Sequence, residues 1–444
     1  MNTTVMSINE KEPVGREWAT IGGFHLMKEQ GLLEPAFEEI NNAALERLRI
    51  LGFPGRRHEM FTFADVSGLP QMEVEGLYFP HAAALERLEK HMRLSSGGDT
   101  TITFINGFYS ATLSDVSAFA GAVKVIQLSE AIKNFAVRRR IMESVQRETD
   151  YFAALNAAYF RDGAAVFVSP GARLDRPLTI KSIFAPKPGS TGSTFPRVYV
   201  ELGEGAEAGL MFTSSGDAKC LSSAVVDITL GPRALARQMS QGMCGAGSWN
   251  FSKISVAVAE EGSFNGSMAF SGPGFTRDNL EVHLAGPGAS AEVTGVTAVS
   301  GKSQAHVYAR VYHDAPNCVS NQFYRNAVSG QSRASVDTTV IVAKGSTGAQ
   351  SRQTVYGLLL SKGSRADAKP NLMIYNDDVK CSHGATVGRL SDEQLFYLKS
   401  RGIPEKRAIK ALVESFLREA LARFPEWAAG IGETLFEKIE LGHE

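Results

Sequence analysis

Cysteine is scarce in this chain. Four of the 444 residues are cysteine, Cys220, Cys244, Cys318 and Cys381, and no two stand in a CxxC spacing. That excludes a disulfide framework and a self-contained zinc or cluster site, each of which needs several thiolates at short spacing. A charge imbalance is also missing. The 46 Lys and Arg balance 47 Asp and Glu to a net charge of -1, so no bulk field points to nucleic acid or an anionic membrane surface, and partners must be read through local patches. No run of about 18 apolar residues occurs, and Met1 to Glu12 lacks a basic start followed by an apolar stretch. The expected location is cytoplasmic.

Familiar catalytic signatures are absent too. Gly301-Lys302-Ser303 looks like the end of a phosphate-binding loop, but the earlier glycine would have to sit at position 296, which is Val296; Gly295 is one residue off and no helical pattern follows. Nucleotide hydrolysis is therefore not expected of this chain. There is no nucleophile elbow, no HExxH pair and no EF-hand loop, and no dinucleotide fingerprint in the helical region.

What is present is an ordinary folding composition, 43% apolar and 21% charged, in a chain longer than the roughly 250 to 300 residues that one compact core supports. Residues 1–160 read as a mainly helical unit. Phe37, Ile40, Ala44, Leu48 and Leu51 recur at helical spacing before Gly52 and Pro54 stop the helix. Thr101 to Phe104 alternates as a strand and Asn106-Gly107 is a turn signal. Residues 163–385 are different in kind: short β-rich runs such as Val225 to Thr229, Ile254 to Val258 and Thr338 to Val342 are punctuated by turns around Gly205, Gly262, Gly288, Gly345 and Gly363. A β-solenoid whose rungs bury themselves only by stacking fits this pattern, with a pair of β-sandwiches as the competing reading. Residues 391–444 are helical again. Ser391 to Gln394 has capping-box spacing, and Ile409, Leu412, Val413, Phe416, Leu417, Ala420, Leu421 and Phe424 form one stripe that ends at Pro425. Internal packing is the favoured use of that stripe, and docking of a partner subunit the other.

Two places could carry metal chemistry. His306 and His313 are an odd seven residues apart, so a continuous strand sends them to opposite faces, and a polar-surface or rung-stacking role is expected. Cys381 and His383 are two apart and share a face. A thiolate beside an imidazole suits iron, zinc or the edge of a cluster. Two donors do not close a site, so a second chain would have to supply the rest. The bland alternative is a small buried cysteine beside a hydrogen-bonded histidine.

The run from Asp377 to Gly388 around this pair, followed by Asp392 to Leu398 and Ser400 to Ile403, resembles the C-terminal signature of the SufB/SufD family. Weaker echoes at Leu51 to Pro54, Asn106-Gly107, Leu155 to Ala157, Asp162-Gly163 and Lys369 to Tyr375 extend it over most of the chain. Cys381-Ser-His-Gly-Ala-Thr386 differs from the Cys-Glu-His-Glu-Ala-Thr of SufB-type chains and points to the SufD side. Met60 to Phe63 departs from a Trp-Lys/Arg-Tyr-Thr segment common in the family. The resemblance implies a mainly β fold, a right-handed parallel β-helix flanked by an N-terminal α/β and a C-terminal α-helical domain. It implies a non-catalytic scaffold of the SUF system in a SufBCD complex, with a SufB-like paralogue and a SufC ATPase as partners. The apolar stripe and charged flanks of the helices from Ser391 to Phe424 are expected to dock the ATPase, and a homodimer is the alternative assembly when the paralogue is absent. It further implies a transient iron-sulfur cluster at the paralogue interface, with His383 as the site histidine and iron ligand, Cys381 at the position that matches the SufB cysteine, and a reduced flavin as a candidate cofactor of the assembled complex. A SufB-like chain is the nearest alternative. A β-helical carbohydrate-active enzyme is disfavoured, since no acidic ladder is present.

Overall fold

The computed structural model describes residues 5–6 and 31–437 except 32, 56, 72–73, 76–99, 185–191, 216–218, 243–246 and 273. From Leu178 to Arg389 the chain winds as a parallel β-solenoid of about 7 turns. Successive strands alternate between two sheets, and each pairs in parallel with the strand one turn later. In the first sheet Trp249–Val258 lies between Cys220–Leu230 and Phe275–Leu284; in the second, Ser263–Ser271 lies between Leu235–Gly242 and Ser290–Val299.

The strand alternation sends one set of side chains between the sheets. In register there, Val200, Ile228, Val256, Val282, Val311 and Val340 stack as a ladder, each at 0 or 1% exposure. Each such side chain contributes roughly 1.5 kcal/mol or more on burial, but only because the neighbouring rung covers it. This is why no single run of the sequence looks like a core.

The N-terminal region covers the outer face of the first sheet. Helices α1 (Glu38–Leu51), α2 (Leu128–Ala131), α3 (Phe135–Arg147) and α4 (Tyr151–Tyr159) share an apolar cluster with Phe195, Tyr199, Phe251 and Phe275 of that sheet. Phe152 stacks on Phe251 with centroids 3.4 Å apart. Polar clamps reinforce it: Asn156 donates to the carbonyls of Pro196 (2.9 Å) and Ser223 (2.7 Å). Asp150 caps α4 by accepting from the backbone of Phe152 and pairs with the buried Arg277. Of the Met60 to Phe63 segment, Phe61 is buried in this interface, with Arg277 4.2 Å above its ring, while Thr62 is exposed.

Thr101–Ile105 and Phe108–Asp115 form the hairpin expected from Asn106-Gly107, both of which take positive φ (51° and 87°). The hairpin joins the second sheet beside Leu178–Ile183 and extends its N-terminal end, with Phe108–Asp115 as the edge strand. At the other end, among the described residues, Arg365–Ile374 is the last strand of the first sheet and Val379–Arg389 of the second.

Ser391 caps α5 (Asp392–Ser400) by accepting from Gln394 N at 3.3 Å. Helix α6 (Glu405–Leu421) follows, then α7 (Ile431–Glu437). The apolar stripe of α6 is internal packing: Val413, Leu417 and Ala420 cover Met239, Ala269, Val296 and Phe323 on the outer face of the second sheet. Gly301-Lys302-Ser303 is a turn between Ser290–Val299 and Gln304–His313, with a strand rather than a helix after it. Among the described residues no helix is long and apolar enough to cross a membrane.

Candidate functional site

The site forms on the terminal rung. Val379–Arg389 pairs with Ala349–Leu359 so that Cys381 lies over Ser351, His383 over Gln353 and Ala385 over Val355. Those three lower residues are 6%, 1% and 0% exposed and face the solenoid interior. By the same alternation Cys381 and His383 share the inward face. Among the described residues no strand lies above them; His383 is exposed, while Cys381 is half-buried against the core. Partial burial pushes the Cys381 thiol up, weakly opposed by a backbone hydrogen bond involving Ser351, so Cys381 is a thiol rather than a ready thiolate at neutral pH.

Beneath this pair the interior turns polar. The Ser320 hydroxyl donates to Ser351 Oγ at 3.0 Å and is 2.8 Å from His313 Nε2. Alongside, Tyr324 donates to Gln322 Oε1 at 3.1 Å, Thr338 donates to the same oxygen, and Gln353 Nε2 donates to Thr338 at 3.2 Å. The repeat Ser320-x-Gln322, Ser351-x-Gln353, Cys381-x-His383 at the rung period is the sequence signal for these columns, and reading strands one at a time misses it.

The terminal rung is also apolar at its surface. Met373 (47%) and Ile374 (38%) at the end of the first sheet's last strand, Tyr375 (64%) just past it and Val387 (42%) on the second sheet's last strand are exposed, and among the described residues the outer backbone edges of these two strands are unpaired.

The other candidates are placed elsewhere. His306 and His313 point to opposite sides of their strand, as expected, but neither lies on the surface: both are buried, at 3% and 0% exposure. His306 sits under the N-terminal helices within hydrogen-bond distance of Ser335 Oγ (2.7 Å), and burial lowers its pKa to about 3; His313 faces the interior, and burial lowers it to about 4. Burial pushes the Cys220 thiol up to about 11, and Cys318 is buried with its thiol toward the Gly286 carbonyl. Cys244 lies outside the described residues. Among the described residues no three His, Cys, Asp or Glu gather to hold a metal, so Cys381 and His383 are an incomplete donor set.

A β-solenoid with helical units at both ends and a Cys-x-His pair on its last rung defines a class that the comparisons place. The profile described as "SUF system FeS cluster assembly, SufBD core domain" matches residues 185–416, and "SufBD protein N-terminal region" matches residues 29–180. The chain belongs to the SufBD family of iron-sulfur cluster assembly proteins. Among its relatives are the iron-sulfur cluster assembly protein SufD of Escherichia coli (strain K12), 26% identical over 84% of this chain and 86% of that protein, and the SufBD family protein slr0076 of Synechocystis, 24% identical over 90% and 91%. Protein ABCI7, chloroplastic, of Arabidopsis thaliana is 26% identical over 87% and 82%.

Proposed function

We propose that this chain is a SufD-like, non-catalytic scaffold subunit of a cytosolic SufBCD-type complex. The observation that carries the proposal is the placement of Cys381 and His383 side by side on the open last rung. His383 offers iron a nitrogen donor, and a cysteine from a SufB-like paralogue completes the site. The cluster is cargo here, assembled and released. An imidazole in place of a thiolate reduces the negative charge around a cluster, which suits an edge that must let its product go. A reduced flavin enters this reading only as a cofactor of the assembled complex.

The paralogue docks on the terminal rung, where unpaired strand edges accompany the exposed Met373, Ile374, Tyr375 and Val387. Open edges and apolar patches are costly unless covered. Without the paralogue, two copies of this chain pair through the same surface. The SufC-type ATPase docks on the C-terminal helices. Because the stripe of α6 is spent on the second sheet, the docking surface is α5, which has no buried residue and presents Phe396 and Tyr397 at 73% and 57% exposure.

The test is co-expression with SufB-type and SufC-type chains, then sizing and iron and sulfide analysis. A complex of all three carrying iron and sulfide is expected, and Val387→Glu with Met373→Glu should release the paralogue alone. A folded chain that binds neither partner would overturn the proposal.

A further inference from the structure

The column that ends at His383 runs down through Gln353, Gln322 and Val293 in successive rungs. Gln353 is 1% exposed and held on one side only. The Thr338 hydroxyl has one proton and gives it to Gln322, so Thr338 Oγ1 accepts from Gln353 Nε2. This fixes the Gln353 amide with Oε1 turned away from Thr338, and that oxygen is buried with no partner. A buried carbonyl left unpaired is strongly unfavourable, and native structures keep few of them. Neighbouring strands lie about 4.8 Å apart, and the side chain in register above Gln353 is the imidazole of His383.

We infer that Gln353 is a positioning residue for His383. Its Oε1 accepts the proton on one ring nitrogen, which selects one tautomer and sets the ring plane. The lone pair of the other nitrogen then faces out of the open rung. A histidine that binds a metal commonly has its second nitrogen held in this way, and loss of the partner typically weakens metal binding 10- to 100-fold. The inference rests on His383 as the iron donor of the proposed function, but the inferred hydrogen bond, for which the structure supplies the register and the unpaired Oε1, can be read without iron.

The experiment uses the full chain labelled with 15N-histidine, at a pH where the ring is neutral, with the His383 signals assigned by their loss in His383→Ala. Wild type should show one ring nitrogen protonated and the other not. Gln353→Leu should give averaged tautomers, and Gln353→Glu, which keeps an acceptor, should restore a single one. Gln353→Met serves in place of the Leu variant should that fail to fold. In the co-purified complex, Gln353→Leu should retain on the order of tenfold less cluster iron after mild chelation. Unchanged ring-nitrogen shifts in a folded Leu or Met variant, as when water alone satisfies Oε1, would overturn the inference while leaving the proposed function intact. Full cluster in His383→Ala would overturn the proposed function, and the tautomer measurement would still decide whether Gln353 holds the ring.

Discussion

Removing Arg277 should detach the N-terminal helices from the solenoid. Its guanidinium pairs with Asp150 Oδ2, with both side chains 2% exposed, lies 4.2 Å over Phe61 and donates to the Met60 carbonyl at 3.3 Å. Asp150 also accepts from Asn279 at 2.9 Å and caps α4. In Arg277→Met the carboxylate stays buried without its cation, for which a loss of about 3 to 5 kcal/mol is expected. Asp150→Asn should cost a similar amount because it strands the guanidinium, while Asn still serves as an N-cap. The double variant should lose clearly less than the sum, with a coupling of roughly 1 to 3 kcal/mol. Urea unfolding followed by fluorescence of variants that keep a single tryptophan suits the test, since Trp249 packs against Phe275 in this interface while Trp427 lies on the outer face of the second sheet, beside Gly209. Loss in the Trp249 signal should precede loss in that of Trp427. Burial opposes ionisation of Asp150, but the charge of Arg277 and the hydrogen bonds from Arg277 and Asn279 outweigh it and hold its pKa below the ordinary carboxylate value. The stabilisation is therefore complete above the unfolded value of about 3.9 and disappears as pH falls through the lower folded value. An Arg277→Met midpoint within error of wild type at pH 7 would refute this reasoning.

Three further outcomes are expected. Burial opposes the charge on His283, but Asp314 (2.8 Å) and Glu281 (3.1 Å) lift its pKa to about 9; its stabilisation is full below the unfolded value of about 6.5 and is lost as pH rises through 9. Thermal midpoints should thus fall over that window in wild type and fall less in His283→Gln. In Gly286→Ala the new Cβ would meet Glu260 N at 2.0 Å, a clash with backbone of the preceding rung, so a loss of about 3 kcal/mol or more is expected in urea unfolding. Phe396→Glu with Tyr397→Glu should abolish binding of the ATPase in a sizing assay without shifting the melting temperature, because neither residue is buried.

Much of this architecture was legible locally. Helix α1, its stop at Gly52, the hairpin at Asn106-Gly107 and the Ser391 cap all depend on neighbours within a few residues, and all are found. The solenoid was harder to separate from a sandwich, because alternation tells which way a side chain points but not that its partner lies a full turn away. The clamp between Asp150 and Arg277 joins residues 127 apart, and no local pattern announces such a pair. At the site, the shared face of Cys381 and His383 followed from their spacing. Their place on the last rung did not, since it depends on which strand has no successor. The use of the α6 stripe was likewise settled only by the outer face of the second sheet.

The central claim is that His383 donates to a nascent cluster completed by a paralogue's cysteine. The direct measurement is the iron and acid-labile sulfide content, with the visible absorbance, of co-purified complexes carrying wild-type chain or His383→Ala. Alanine should be tolerated on an exposed rung, so the account predicts an intact complex with most of its cluster lost. An intact His383→Ala complex with wild-type iron, sulfide and absorbance would contradict it.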